Sequence, residues 1–292
     1  IMNKRSEKDK IALVTEGGGQ RGIFTAGVLD AWLAQDFNPF NLYIGTSAGA
    51  QNISSYLAKE VGLAKSSILK ITEKPDFFSL KRSIFGGSTI DLDWYFKNVI
   101  ENVDASYSEE FVSSLEDKDV YFMATKTECL SPAMLKAEPE TWRKSLKASS
   151  AVPYLYKSGV NLKGDIYIDG AVCSPVPVEE AYNLGAKKII SIRTVTKCYN
   201  NKTEWAHKLK SLISNFDKSA KALDIITKHE NSYEKMQEFI QSPPDDVDII
   251  EIFPPRMLSS KLFASSVEDL MQDYEMGLEV GKKFLEGMNY NS

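Results

Sequence analysis

Glu16-Gly17-Gly18-Gly19-Gln20-Arg21-Gly22, directly behind the apolar run Ile11-Ala12-Leu13-Val14, decides how this chain is read. A short apolar run followed by adjacent glycines suits a buried strand that ends in a tight turn. From Arg21 onward Ile23, Phe24, Gly27, Val28, Leu29 and Trp32 recur at helical spacing, and the run stops near Asn38-Pro39. The same pattern returns at once: Leu42-Tyr43-Ile44, then Gly45-Thr46-Ser47-Ala48-Gly49-Ala50, then a helical stretch from Ala48 to Ala58. Two parallel strands deliver both turns to one edge of a sheet, where open α/β sheets bind ligands. One turn offers backbone N–H groups and the other a serine.

Working outward, Val120 to Thr125 has strand composition, and Trp142 to Ser150 is helical up to Pro153. Asp165-Ile166-Tyr167-Ile168-Asp169-Gly170 alternates with period two and ends in a turn. Pro175 and Pro177 open a helix over Val178–Leu184, Lys188–Ile192 is a buried strand, Val247–Phe253 a last strand and Leu270–Met288 a last helix. Residues 62–118 carry weaker signals: Gly86-Gly87 is a break, and Ile90 to Phe96 begins a short helix. Trp205 to Ile240 is polar and helical, with Trp205, Leu209, Leu212, Phe216 and Leu223 as one stripe. Such a stripe packs on the body of its own protein, or in a sharper reading makes residues 195–245 a helical cap over the site. The alternation of strands and helices predicts a single α/β domain over residues 11–288, helices on both faces, behind a mobile tail of residues 1–10.

A net charge of −5 gives no electrostatic case for nucleic acid and does not favour adhesion to an anionic bilayer. No apolar run is long enough to span a bilayer, and the charged start lacks the apolar core of a secretion signal. Cys129, Cys173 and Cys198 show no CxxC or Cys/His spacing, so neither a disulfide framework nor a metal site is expected. A reducing, cytoplasmic setting follows. Nothing in the sequence speaks to oligomeric state.

Gly45-Thr46-Ser47-Ala48-Gly49 fits the nucleophile elbow, in which a serine is forced outward at a strand-to-helix turn whose flanking glycines relieve crowding. The helix behind it points a positive dipole end at developing negative charge. Gly17 to Gly22 also fits Gly-x-Gly-x-x-Gly, but the second strand ends in Gly45-Thr46-Ser47, and Asp36 precedes that strand in a loop, which counts against a dinucleotide. Adjacent N–H groups in such a turn serve an oxyanion equally well. The two histidines, His207 and His229, lie in the polar helical segment away from any strand end, so a Ser-Asp-His triad is disfavoured. Asp169, closing a strand ahead of Gly170, is the better base. Taken alone Asp-Gly is a turn, and a carboxylate base needs a dry, preorganised site to act on serine.

These residues together resemble the bacterial patatin-like phospholipases. That family is marked by Gly-Gly-Gly-x-Arg-Gly, Gly-x-Ser-x-Gly and Asp-Gly-Gly or Asp-Gly-Ala in this order, matched here by Gly17–Gly22, Gly45–Gly49 and Asp169-Gly170-Ala171. Ala148 to Pro153 and Tyr274 to Gly277 add lesser likenesses, and the similarity runs from about residue 11 to 288. The resemblance implies a three-layer α/β/α fold with a central, mostly parallel sheet. It implies a lipid acyl hydrolase needing no cofactor or metal, with Ser47 as nucleophile and Asp169 as base. Gly17, Gly18 and Gly19, with Arg21 and Gly22, would form the oxyanion hole, and Glu16, where the family often has aspartate, stands outside the chemistry. Substrates would be phospholipids, lysophospholipids or related acyl esters, met in the cytoplasm by transient membrane-surface contact through apolar side chains around the pocket. A non-catalytic acyl-lipid binder and a dinucleotide enzyme stay open as alternatives, with intact Ser47 and Asp169 against the first.

Overall fold

The two glycine turns do follow adjacent parallel strands. The structure is a computed structural model that describes residues 10–102, 104–197 and 220–289. Cys198, His207 and the stripe residues Trp205, Leu209, Leu212 and Phe216 lie outside the described residues, as does most of the expected tail; Lys10 already opens the first strand. β1 (Lys10–Thr15) pairs in parallel with β2 (Leu42–Thr46) on one side and β7 (Ala186–Ile192) on the other. β2 pairs in parallel with β3 (Asp119–Lys126), and β7 with β8 (Asp248–Ile252). β4 (Ser131–Lys136) and β6 (Asp165–Asp169) run antiparallel to β3, and β5 (Val160–Leu162) antiparallel to β6, making eight strands.

Side-chain alternation along the central strands splits the core into two layers. Leu13, Tyr43, Val120 and Phe122 face α1 (Gly22–Leu33), α2 (Ala48–Leu57) and α7 (Trp142–Ser149). α5 (Leu92–Tyr95), α6 (Ala105–Ser114) and α10 (Val267–Asn289) complete that layer. Ala12, Val14, Leu42 and Ile44 face α8 (Val178–Asn183) and α9 (Ala220–Gln241) through Val178, Ala181, Tyr233 and Met236. Strands covered on both faces read as continuous apolar runs, which is why β1 and β2 stand out in the sequence. This is the three-layer α/β/α fold.

Further elements are α3 (Leu63–Thr72) and α4 (Leu80–Ile84), which the sequence reading did not delimit. β4 escaped it as well: Pro132 argues against a strand, but β4 pairs with β3 alone and presents every second residue to solvent, an edge position where proline is tolerated. Leu223, assigned to the packed stripe, is 61% exposed. The inward face of α9 is instead Ala222, Ile225, Ile226, His229, Tyr233 and Met236, a register fixed by contact with the turn at 170–172 and with α8.

Trp32 locks α1 to α10. Its ring packs on Phe37, Phe40 and Phe284 with centroids 5.3, 5.9 and 5.2 Å away, and its indole N–H donates to Gly281 O at 3.2 Å. Trp32→Ala is expected to lose about 3–5 kcal/mol of unfolding free energy, measured by urea denaturation.

Candidate active site

β3 acts as a ruler for the site. β4 takes one of its edges over Tyr121–Lys126, so β2 and β6 must share the other. Thr46, the last residue of β2, lies opposite Met123, and Asp169, the last residue of β6, lies opposite Ala124. The two strands therefore meet end to end, one step apart along β3. Ser47 Oγ donates a 2.7 Å hydrogen bond to Asp169 Oδ2 across a separation of 122 residues.

Ser47 sits at φ 54°, ψ −122°, a conformation that costs a non-glycine residue about 1–3 kcal/mol. Three contacts hold the elbow. The Ser47 N–H donates to the buried Ser149 Oγ at 2.9 Å, and Thr46 Oγ1 donates to Ser174 O at 2.8 Å. The start of α2 rides so close to β1 that a Cβ on Gly49 would stand 2.4 Å from Thr15 O. Gly45, two residues before the serine, lies in β2, where a Cβ would stand 2.6 Å from the backbone of Ala50.

Asp169 is 1% exposed. Burial raises its pKa to about 7, and hydrogen bonds from the Ala171 N–H and the Ser47 hydroxyl keep it from rising further. The Ala171 N–H donates to Oδ1 at 2.8 Å, so the Gly170-Ala171 turn orients the carboxylate and leaves Oδ2 for the serine.

The first glycine turn lies beside them. A Cβ on Gly17 would stand 3.3 Å from the Ser47 Cβ, and Gly17, Gly18 and Gly19 line the same cavity as Ser47 and Asp169. Gly19 has φ +57°, and a Cβ there would lie 2.2 Å from Leu262 O. Among the described residues the N–H groups of Gly17, Gly18 and Gly19 make no hydrogen bond, whereas those of Gln20, Arg21 and Gly22 are engaged by Leu262 O, Gly18 O and the turn's own carbonyls. Arg21 is buried with Nε against Gly18.

Several residues that the sequence did not flag hold this arrangement. Asn52 Nδ2 donates to Gly22 O and Ala48 O, both at 3.0 Å, tying the two glycine turns together. Glu16 is buried, and its Oε2 accepts from Arg193 Nε at 3.1 Å and from the Thr194 N–H at 2.7 Å, while Thr194 Oγ1 donates to Gly17 O at 2.9 Å. Arg193 also contacts Glu251 and the Tyr233 hydroxyl. Burial by itself would lower the Arg193 pKa; Glu16, Tyr233 and Glu251 reverse that and hold the guanidinium charged.

His229 corrects one expectation: it is not remote from the strand ends. It is buried in the cavity wall, where Nδ1–H donates to Ala171 O at 2.6 Å, and burial lowers its pKa to about 4, leaving it neutral near pH 7. No imidazole stands between Ser47 and Asp169, which bond directly. Asp36 lies past the far end of α1, about 18 Å along a 12-residue helix from the glycine turn, too far to hold a ribose there. Beyond Ser47 and Asp169 the cavity wall is largely apolar, with Ile68, Ile71, Phe77, Ile90, Leu92, Val152 and Phe263, and with the polar chain Tyr95 OH to Gln51 to Ser150 along one side.

The chain belongs to the patatin-like phospholipases, a family of lipid acyl hydrolases: the family model matches residues 13–182. A domain of unknown function, DUF6363, matches residues 219–290, which include α9 and α10. The chain is 39% identical over 277 residues to the uncharacterized protein YjjU of Escherichia coli (strain K12), covering 94% of this chain and 77% of that one. It is 27% identical over 186 residues to patatin-like phospholipase domain-containing protein 7 of Rattus norvegicus, covering 62% of this chain and 13% of that protein. VipD from Legionella pneumophila is a structural neighbour at 13% identity and TM-score 0.49, with 96% of this chain and 67% of that chain covered. No helix among the described residues is long and apolar enough to cross a membrane.

Replacing Arg193 by methionine leaves the Glu16 carboxylate buried without its cation. Arg193→Met is expected to lower stability by about 3–5 kcal/mol, read from the midpoint of chemical denaturation.

Proposed function

We propose that this chain is a serine lipid acyl hydrolase that cleaves the carboxylic esters of phospholipids, lysophospholipids or related acyl lipids through a Ser47–Asp169 dyad. The observation that carries the reading is the 2.7 Å bond from Ser47 Oγ to Asp169 Oδ2 in an apolar cavity, beside three adjacent unengaged N–H groups. Ser47 Oγ attacks the ester carbonyl carbon while its proton passes to Asp169 Oδ2. The oxyanion is met by N–H groups of Gly17, Gly18 and Gly19, each such donor being worth about 3–4 kcal/mol, and by the positive end of α2. Arg21 and Gly22 shape this turn, since their own N–H groups are engaged.

Collapse of the tetrahedral intermediate breaks the ester C–O bond, and Asp169 returns its proton to the departing alcohol. Water then attacks the acyl-serine, giving one proton to Asp169, which passes it to Ser47 Oγ. The net reaction consumes one ester and one water and yields an acid and an alcohol. A carboxyl group with a pKa of about 7 suits this work better than an ordinary one, because once ionised it is a stronger base. Residues 11–288 act as one unit in the cytoplasm, with α9 closing one wall of the site through His229 and Tyr233.

Ser47→Ala and Asp169→Asn are each expected to lower kcat/KM on a p-nitrophenyl ester and on mixed-micelle phospholipid by at least about a thousandfold. Fluorophosphonate labelling should be lost in Ser47→Ala. Turnover that survives loss of Asp169 would place the base elsewhere. The pH profile supplies a separate check. The ionised carboxylate is the active form, so log kcat/KM should climb with unit slope and level off above about pH 7. His229→Gln should leave that profile where it is.

A further inference from the structure

Residues 78–90 form a finger that presents apolar side chains to solvent by construction. Its base is closed by an antiparallel bridge between Phe78 and Ile90 and by the Ser79 N–H donating to Thr89 O at 2.8 Å. Its tip turns back through Gly86 N–H to Ser83 O at 3.1 Å and Gly87 N–H to Arg82 O at 3.0 Å. Arg82 braces the two sides through Nη1 to Ser88 O at 3.3 Å, and the Lys157 N–H donates to Ser88 Oγ at 3.1 Å. On this braced tip Ile84 is 70% and Phe85 80% exposed, the two most exposed large hydrophobic side chains among the described residues.

We propose that this finger docks the protein on a bilayer containing anionic lipid, inserting Ile84 and Phe85 among the headgroups while its base stays in the wall of the Ser47 cavity. Three observations converge on that partner. Stretch 79–90 carries Lys81 and Arg82 and no acidic residue, and Lys157 Nζ donates to Ser83 O at 3.4 Å, so three cations border the tip against the one carboxylate, Asp76, that interacts with Arg82, in a chain of net charge −5. Two side chains are far too little area for a stable protein interface, which buries roughly 1,200 Å² or more, but suffice for reversible insertion backed by basic neighbours. The base of the finger is cavity wall: Phe77 and Ile90 line it with Ser47, and Phe78 stacks at 5.7 Å on Phe263, which lines it too. A tip seated in headgroups is thus joined through its base to the apolar wall around the serine. The proposal rests on the hydrolase reading only for the use to which that connection is put.

The test is co-sedimentation with vesicles of phosphatidylcholine and phosphatidylglycerol, run in a Ser47→Ala background so that lipid stays intact. Adding Ile84→Ser and Phe85→Ser together is expected to weaken partitioning at least about tenfold. Lys81→Glu should weaken it on these vesicles and not on pure phosphatidylcholine. With Ser47 present, the Ile84→Ser/Phe85→Ser protein should hydrolyse a short monomeric p-nitrophenyl ester like its parent while losing activity on vesicle phospholipid. Vesicle binding undiminished by the double substitution overturns the proposal, as does a parent that does not bind vesicles. So does concentration-dependent self-association, abolished by the double substitution, in place of vesicle binding. If the soluble ester is never turned over but tip-dependent vesicle binding persists, the hydrolase reading falls and the docking surface stands.

Discussion

Everything at the site depends on two strands sharing one edge of a third. β2 and β6 approach β3 from opposite directions along the same edge, because β4 occupies the other, and they stop at consecutive residues, Met123 and Ala124. Strand pairing fixes spacing to fractions of an ångström, so a serine that follows one strand and an aspartate that ends the other are brought within hydrogen-bond distance by backbone geometry. The side chains need only point the right way. The Ser149 hydroxyl on the Ser47 N–H and the Ala171 N–H on the Asp169 carboxylate see to that.

Two buried carboxylates a short distance apart are treated in opposite ways. Glu16 faces a guanidinium and a backbone N–H, and its charge is neutralised where it stands. Among the described residues Asp169 is given hydrogen-bond donors but no cation, and its pKa climbs to about 7 under the weight of desolvation. The first arrangement suits a bolt between β1 and the end of β7; the second suits a group that must take up and release a proton. Electrostatic environment, more than residue type, sets the two carboxylates apart.

Much of this was written in the chain. Continuous apolar runs ending in glycine marked β1 and β2, and the elbow and Asp169-Gly170-Ala171 could be picked out because each needs particular residues at fixed short offsets. What stayed hidden is long-range and polar. Asn52, Arg193 and Thr194 look like ordinary surface residues in sequence, and their partners lie 30, 177 and 178 positions away. Nothing local encodes such pairings. His229 was misplaced for a related reason: the inward face of α9 is chosen by the turn it packs on, not by the strongest apolar stripe of its own sequence. β4 was missed because an edge strand obeys looser rules than a central one.

The closure of the first glycine turn also has a meaning in time. The turn is pinned by Leu262 O against Gly19 and Gln20, and by the Ser265 N–H on the Gln20 side chain, a contact spanning 245 residues. Contacts of such separation carry the largest loop-closure entropy and form late. A ribosome delivers Ser47 and Asp169 well before Leu262, so both exist in the growing chain while the first glycine turn still lacks its support from the C-terminal segment. The finished wall of the Ser47 cavity is thus tied to the docking of the segment that leads into α10, which brings Leu262 and Phe263 to it.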